Sequence, residues 1–565
     1  MKKSILVGIV LFTGLLVSCN DEMNYKEFTQ YDEEYVKKNF DYVSGLVTNA
    51  YSYLDDDLGS YDGAMMASAT DEAEYVYTDN PIYTFINGGW NPVSAQDEAW
   101  KKNYQGIQQV NMFLERFQGL TFPEIDQNDE YQAKIAQYNR FSYEVRALRA
   151  YYYFNLAKQY GDVPLFTKLI TVDEVNRLTR TPVHEVFQFI IDECDAIMEQ
   201  VPWKWSEVHS DLQDIDHAGR VNKMFVLALR ARTALYAASP LFCPQGEEQS
   251  MWNRAALYNQ EVINAAIAHN YSLLTNYEDI WGENNYKSAE VIFAKRKGVS
   301  RTYEEYNFPM GVEGGKGGNC PTQNLVDAYE MLNGKAISES GSGYDPQRPY
   351  WGRDPRLALT VAVNGEEKWP DYNSATLETF YGGLNGEPLA GATPTGYYLK
   401  KQMNHSVILQ AGKANEKLHS WVIFRLGEFF LNYAEAAFKA TKSAVGVPEG
   451  CSLTAIEAVN IIRNRVGMPA LDNSLSSEAF LQKYENERFI ELAFENHRFW
   501  DLRRWKKGDK LKSITRMKIT KKADGTFIYT RKEISREWDD KMYLFPIPQS
   551  ERLKNPNLSQ NPGWE

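Results

Sequence analysis

Flat aromatic side chains set among amides and carboxylates are the residues of this chain whose grouping points most directly to chemistry. That chemistry is recognition of a sugar. A pyranose offers an apolar C–H face that stacks on an aromatic ring, and its hydroxyls need Asn, Asp, Gln or Arg partners. One aromatic contact adds ~0.5–1.5 kcal/mol beyond buried area, and a millimolar complex needs about 4 kcal/mol, so two or three platforms plus hydrogen bonds suffice. The stretch Asn87-Gly88-Gly89-Trp90-Asn91-Pro92 reads as a turn-rich loop presenting one indole between Asn87 and Asn91, with Tyr75, Tyr77 and Tyr83 just upstream. Tyr303, Tyr306, Trp351, Trp369, Tyr372 and Tyr381 form a second set. A loop aromatic can equally plug the space between loops, and both roles stay open for each ring.

Catalytic patterns are weaker. A glycosidase needs two carboxylates at roughly 5–9.5 Å across the scissile bond. Asp55-Asp56-Asp57 and Asp71-Glu72-Ala73-Glu74 supply acids, but no spacing selects a pair, and they read as solvated loop or helix-cap residues. The seven His show neither HxxxH nor HExxH spacing. There is no GxSxG or Walker loop. Gly314-Gly315-Lys316-Gly317-Gly318 lacks the GK[ST] ending and reads as a mobile loop. Asp55–Asp62 does not match EF-hand spacing. Cys194, Cys243, Cys320 and Cys451 form no CxxC and read as isolated thiols. No catalytic residue, metal ligand or cofactor is expected.

Helices must carry these loops. Phe141, Val145, Leu148, Tyr152 and Leu156 recur at spacings of three and four, and Gly161-Asp162-Val163-Pro164 ends that run. Thr181-Pro182 opens the next helix. Helical patterning also covers Asn222–Ala238, Trp252–Ala268, Phe424–Ala440, Ala455–Val466 and Leu481–Trp505. Short breaks between helices suggest stacked hairpins, without a fixed repeat period. Two stretches differ. Residues 54–93 and 276–417 are rich in Gly, Asp, Asn, Tyr and Pro, with short strands expected at Val291–Ala294 and Leu357–Val363. Loops this long usually carry function. Trp281 and the set Trp100, Tyr104, Ile107 and Met112 read as core.

The 565 residues hold 61 Lys+Arg and 75 Asp+Glu, a net charge of −14 that argues against nucleic acid as a partner. Hydrophobic residues at 43% and charged residues at 24% indicate a folded chain. Lys2 and Lys3 precede an apolar run, Ile5 to Val17, that is too short to span a bilayer and reads as a secretory leader. It ends in Leu16-Val17-Ser18-Cys19, which resembles a bacterial lipobox, with Cys19 acylated to become the new N-terminus. Removing residues 1–18 takes the charge to −16. Several acyl chains, at ~0.8 kcal/mol per CH₂, hold a protein on a membrane durably. Asn20-Asp21-Glu22 is similar to the acidic export tag of surface lipoproteins.

Seven segments in order resemble the SusD/RagB family. They are Arg146–Leu156 with Tyr160–Leu165; Arg220–Lys223 leading to Ala231–Tyr236; Arg353–Leu357; Arg425–Glu428 leading to Asn432–Ala436; Asn460–Gly467; Glu487 through Arg504; and Leu544–Pro548. They span nearly the whole mature chain. The resemblance implies a mainly α fold: a superhelix of degenerate TPR-like helical pairs with an irregular loop-rich lobe containing short strands. It divides the chain into a leader, 1–18, and one SusD-like fold, 19–565. Within the fold, 19–240 carries the 54–93 insertion, and 241–565 carries the 276–417 lobe and the 424–505 helices. It implies an outer-membrane lipoprotein, surface-exposed, that captures oligosaccharide and passes it to a SusC-like TonB-dependent transporter without catalysis. Peptide capture on the same scaffold, and a lipid-anchored glycosidase, are the alternatives.

The charged signature residues read as structural. Arg146, Arg149, Arg425 and Arg463 sit beside apolar helix faces, and Glu428, Glu435, Glu487 and Glu491 are available to pair with them. Glu495–Arg498 and Asp501–Arg504 are spaced as i,i+3 pairs.

Overall fold

The computed structural model describes residues 32–96 and 98–565. The leader, Cys19 and the acidic stretch after it lie outside the described residues. Ten helices carry the architecture: α1 (Phe40–Tyr51), α2 (Glu98–Arg116), α3 (Tyr131–Tyr160), α4 (Val183–Ile197), α5 (Lys223–Ala238), α6 (Glu248–Ala268), α7 (Leu426–Thr441), α8 (Ala455–Arg465), α9 (Ser477–Glu491) and α10 (Arg498–Arg504). From α2 to α8 each helix packs on the next, a TPR-like run of helical pairs. The run is continuous in space although the 276–417 lobe interrupts it in sequence, because α6 packs directly on α7.

Local chemistry sets the helix ends. Asn222 caps α5 by accepting the Phe225 N–H at 3.0 Å. Thr454 and Glu457 form a capping box on α8. Gly161 ends α3 at φ +69°, and a Cβ there would lie 2.9 Å from Leu544 Cδ1.

Three expected elements change. Leu481–Trp505 is not one helix but α9 and α10, separated at Phe494 and Asn496, which both take φ +59°. The break is held by tertiary contacts: Phe494 is buried, its N–H donates to Glu72 Oε1 at 3.3 Å, and its carbonyl accepts from Gln402 at 2.7 Å. Phe424 belongs to a strand, so α7 begins at Leu426. Leu357–Val363 is a short helix, Arg356–Thr360, followed by the two-residue strand Val361–Ala362, which pairs with Tyr398–Leu399.

The strands form two-stranded pairs. β1 (Ala73–Tyr75) pairs with β3 (Asn319–Pro321), β2 (Val291–Ser300) with β4 (Lys417–Arg425), and β5 (Ser513–Lys521) with β6 (Phe527–Ser535), all antiparallel. β2 extends beyond the expected Val291–Ala294.

A buried ion network joins lobe to helices. Arg356 contacts Asp354 at 2.7 Å, Glu487 at 2.6 Å and Glu491 at 2.8 Å. Arg425 contacts Glu290, Glu491 and Glu495 at 2.9, 2.8 and 2.6 Å. Arg463 bridges Glu330 and Glu487. Some partners differ from the expected ones. Arg146 and Arg149 share Glu193, Arg232 takes Glu428, and Arg504 takes Glu435. Asp501–Arg504 forms at 2.8 Å, whereas Arg498 turns to Asp71 and Glu495 to Lys401 and Arg425. Helical spacing permits a pair, but burial favours whichever partner completes the hydrogen bonds.

The acidic clusters are not solvated. Asp57 is buried and accepts from Ser60 and the Met66 N–H, and burial pushes its carboxyl up to about 7. Asp56 holds Lys295 and Lys297, Asp71 holds Arg498, and Glu74 holds Arg516. Burial, above all, raises Glu72 to about 8. Cys194 and Cys320 are buried free thiols, and Cys243 and Cys451 are free and half-buried.

Candidate functional site

Pairing of β1 with β3 brings the two loop blocks together. The register sets Tyr75 opposite Asn319, and beyond it the Val76 N–H donates to the Gly318 carbonyl at 3.0 Å. Tyr77 therefore lands on the glycine loop and donates to the Lys316 carbonyl at 2.9 Å. Its ring lies edge-on to Tyr75, with centroids 5.8 Å apart. Tyr306 arrives from the same loop block, and Lys316 Nζ stands 4.8 Å over its ring while bonding Glu305 at 2.9 Å. That hydrogen bond raises the Lys316 pKa, so its charge is secure.

Two glycines let these rings meet. Gly63 has φ +90°, and a Cβ there would fall 2.4 Å from the Tyr75 hydroxyl and 2.5 Å from Tyr306 Cδ1. Gly391, at φ +80°, would strike Met310 Cε at 2.4 Å and approach the Tyr77 hydroxyl to 3.3 Å. At Gly63 a side chain would collide with two rings, and at Gly391 the positive φ would strain it. The Gly314–Gly318 stretch is not a free loop. Gly315, Gly317 and Gly318 N–H groups donate to the carbonyls of Val312, Phe308 and Tyr306 at 3.0, 2.8 and 2.8 Å.

The expected aromatics divide by exposure. Tyr77 and Tyr306 are half-exposed and form the rim. Tyr75 is buried beneath them as a floor. Tyr83 is half-buried behind β1 and donates to the Tyr75 carbonyl at 2.5 Å. Tyr372 is half-exposed like Tyr77, but donates to the Glu313 carbonyl at 2.8 Å and packs near Phe308; burial raises its phenol to about 12. Tyr381 and Trp351 are well exposed, at 52% and 64%, but Trp351 stands apart, with Arg348 over its ring at 5.0 Å.

Trp90 requires the firmest correction. It is 2% exposed, with ring centroids 4.7 Å from Phe85, 4.6 Å from Phe545 and 5.1 Å from Trp564. Its indole N–H donates to the Ala95 carbonyl at 3.2 Å. It plugs the joint between the first loop block and the C-terminal tail. Asn87 and Asn91 are exposed but spend their side-chain oxygens on their own turn, Asn87 on the Gly89 N–H and Asn91 on those of Val93 and Ser94. Tyr303, whose hydroxyl reaches Met65 Sδ at 3.3 Å, and Trp369, packed on Phe308, are likewise buried. None of these three rings offers a face to a ligand. Lys316, Met310 and the two glycines were missed, since nothing along the chain marks their convergence.

A cleft of about 350 Å³ opens on the helical side beside residues 203–220. Two of its rings carry partners of their own, as Tyr306 does. Trp203 stacks on His269 at 3.7 Å under Lys223, and Tyr286 carries Arg296 at 4.7 Å and Lys287 at 5.3 Å. The Tyr77 rim differs in drawing its rings from two separate loop blocks.

Two family profiles match the chain. The sequence profile of the SusD family matches residues 279–564, and a profile described as starch-binding associating with outer membrane matches residues 32–235. The starch-binding protein SusD of Bacteroides thetaiotaomicron is 22% identical over 543 residues, 88% of this chain and 84% of that protein. A SusD-like protein of Formosa agariphila is 22% identical over 435 residues, 72% of this chain and 70% of that one. Among solved structures, a SusD-like protein from Bacteroides fragilis superposes with a TM-score of 0.78 at 25% identity, covering 94% of this chain and 98% of that one. A laminarin-binding SusD-like protein superposes with a TM-score of 0.64 at 21% identity, covering 93% and 100%.

Proposed function

Because this chain belongs to the SusD family, we propose that it is an outer-membrane lipoprotein, anchored through Cys19 at the cell surface, that binds oligosaccharide and hands it to a SusC-like TonB-dependent transporter without chemistry of its own. One observation carries the sugar reading: half-exposed tyrosines from two separate loop blocks converge at one rim, Tyr77 and Tyr306, over a packed floor. Such a rim supplies ring faces for stacking and, in Glu305 and Lys316, polar partners for hydroxyls. Weak, reversible binding suits handover, since cargo held too tightly would not leave.

Titration calorimetry with amylose, laminarin and acidic polysaccharides tests it. Tyr77→Ala and Tyr306→Ala should each weaken the glycan that binds by about 2- to 10-fold, and together by more than tenfold. No binding to any polysaccharide, or an unchanged affinity in the double variant, contradicts the reading. Release of reducing sugar on incubation would overturn the noncatalytic part.

A further inference from the structure

The β5–β6 hairpin is charged against the trend of the molecule. Residues 513–535 hold six Lys/Arg and two Asp/Glu, a net +4 in a chain of net −14. Strand register decides where those charges point. Arg516 lies opposite Lys532, Lys518 opposite Thr530 and Thr520 opposite Ile528. Paired residues share a face and alternate residues along a strand repeat it. One face is thus Arg516, Lys518, Thr520, Ile528, Thr530 and Lys532, with no acid on it. Glu533, opposite Thr515, falls on the other face, beside the buried Met517 and Ile519. Among the described residues the hairpin's ion pairs are Arg516–Glu74 and Arg531–Asp327. Lys518 and Lys532 are exposed and pair with neither.

The hairpin is tied to the elements that carry the tyrosine rim. Arg516 holds Glu74, which points to the face of β1 opposite Tyr75, where the Tyr83 hydroxyl reaches Glu74 Oε1 at 3.5 Å. The loop through residues 381–395 binds the hairpin, with the Tyr381 N–H on the Ile519 carbonyl at 2.8 Å and the Met517 N–H on the Thr395 carbonyl at 3.1 Å. The same loop carries Gly391, which lies against Tyr77 and Met310. Tyr381, 52% exposed, has Lys518 Nζ 5.0 Å over its ring. An exposed ring with an ammonium beside it that takes part in no ion pair matches a sugar that carries an anionic group.

We propose that the Lys518–Lys532 face of the hairpin binds the carboxylates or sulfates of an acidic glycan whose rings rest on Tyr381 and the Tyr77–Tyr306 rim. This rests on the glycan reading above and specifies its substrate class. A molecule of this net charge repels polyanions at long range. Screening confines each charge to about 8–10 Å at physiological ionic strength, so a local basic face governs what docks there.

The test uses the purified full-length protein in detergent and calorimetry with polygalacturonate, heparin, amylose and laminarin. At least one acidic polymer should bind more tightly than both neutral glucans. That binding should weaken roughly tenfold in Lys518→Gln/Lys532→Gln, and again as salt rises from about 50 to 500 mM. Both positions are exposed, and an unchanged melting temperature checks that the variant folds. Neutral glucans binding through Tyr77 and Tyr306 while acidic polymers do not would overturn this inference and leave the broader reading standing. Failure of all four polymers would overturn both. Lysine-dependent binding to phosphatidylglycerol vesicles without any acidic polymer would overturn it in favour of a membrane-facing role.

Discussion

At the scale of single residues, Trp90 and Tyr77 look alike in sequence, each an aromatic in a turn-rich loop beside polar neighbours. Their surroundings separate them. Trp90 has three aromatic neighbours and a satisfied N–H, so it is a core residue. Trp90→Ala should destabilise the protein by about 3–5 kcal/mol in urea unfolding, the cost of a large buried ring, while leaving glycan affinity of the folded fraction within twofold. Tyr77→Ala should do the opposite, lowering affinity and costing little more than the one hydrogen bond it donates. A Trp90→Ala variant that folds normally and binds tenfold more weakly would contradict this division. The residues to which Trp90 packs, Phe545 and Trp564, lie more than 450 positions along the chain, so no local pattern announces them.

At the scale of elements, helices were legible where a cap or breaker coincides with the end of an apolar stripe. Asn222 and Gly161 are such points. The break between α9 and α10 was not, because the left-handed turn at Phe494 is imposed by Glu72 and Gln402 from distant loops. The buried charges between elements make a pH prediction. Glu435 on α7 receives Arg504 of α10, Tyr484 of α9 and the Trp505 indole. Burial alone would raise its carboxyl; the Arg504 guanidinium overrides this and holds it down at about 2, against an ordinary 4.5. A carboxyl with a depressed folded-state pKa stabilises the fold fully above its unfolded value and loses that contribution as pH falls toward the folded one. The contribution is on the order of 3 kcal/mol at neutral pH. Glu435→Gln should therefore be destabilising at pH 7, by roughly 3–5 kcal/mol with Arg504 left buried, and the gap to the parent should narrow by about 2 kcal/mol by pH 3. Urea unfolding of both proteins across that range measures it, and a pH-independent gap contradicts the assignment.

At the scale of the whole molecule, a rigid helical stack carries an inserted lobe, and the lobe's loops meet the first loop block at one rim. No described helix is long and apolar enough to cross a membrane, and the proposed attachment is the lipid on Cys19. Cys19→Ala should abolish incorporation of labelled palmitate and move the protein from the membrane fraction to the soluble fraction, with glycan affinity unchanged. Persistence in the membrane fraction would refute the tether. The transporter partnership makes a parallel prediction: solubilised membranes should yield this protein together with a large β-barrel protein, and recovery of the lipidated protein alone at every detergent concentration would count against it.

Sequence by itself determined the family, the helical stack, the two loop-rich blocks and the structural standing of the buried arginines and glutamates. The family rests on the resemblance of ordered motifs, and the rest on periodicity, capping and cost of burial, all of which are written locally. Tertiary structure alone decided which aromatics face solvent, which carboxylates are paired, where the last long helix breaks, and that a basic hairpin is tied to the elements carrying the tyrosine rim. Those depend on which distant segments come to share a few ångströms, and exposure of a ring is a property of its neighbours rather than of its own place in the chain.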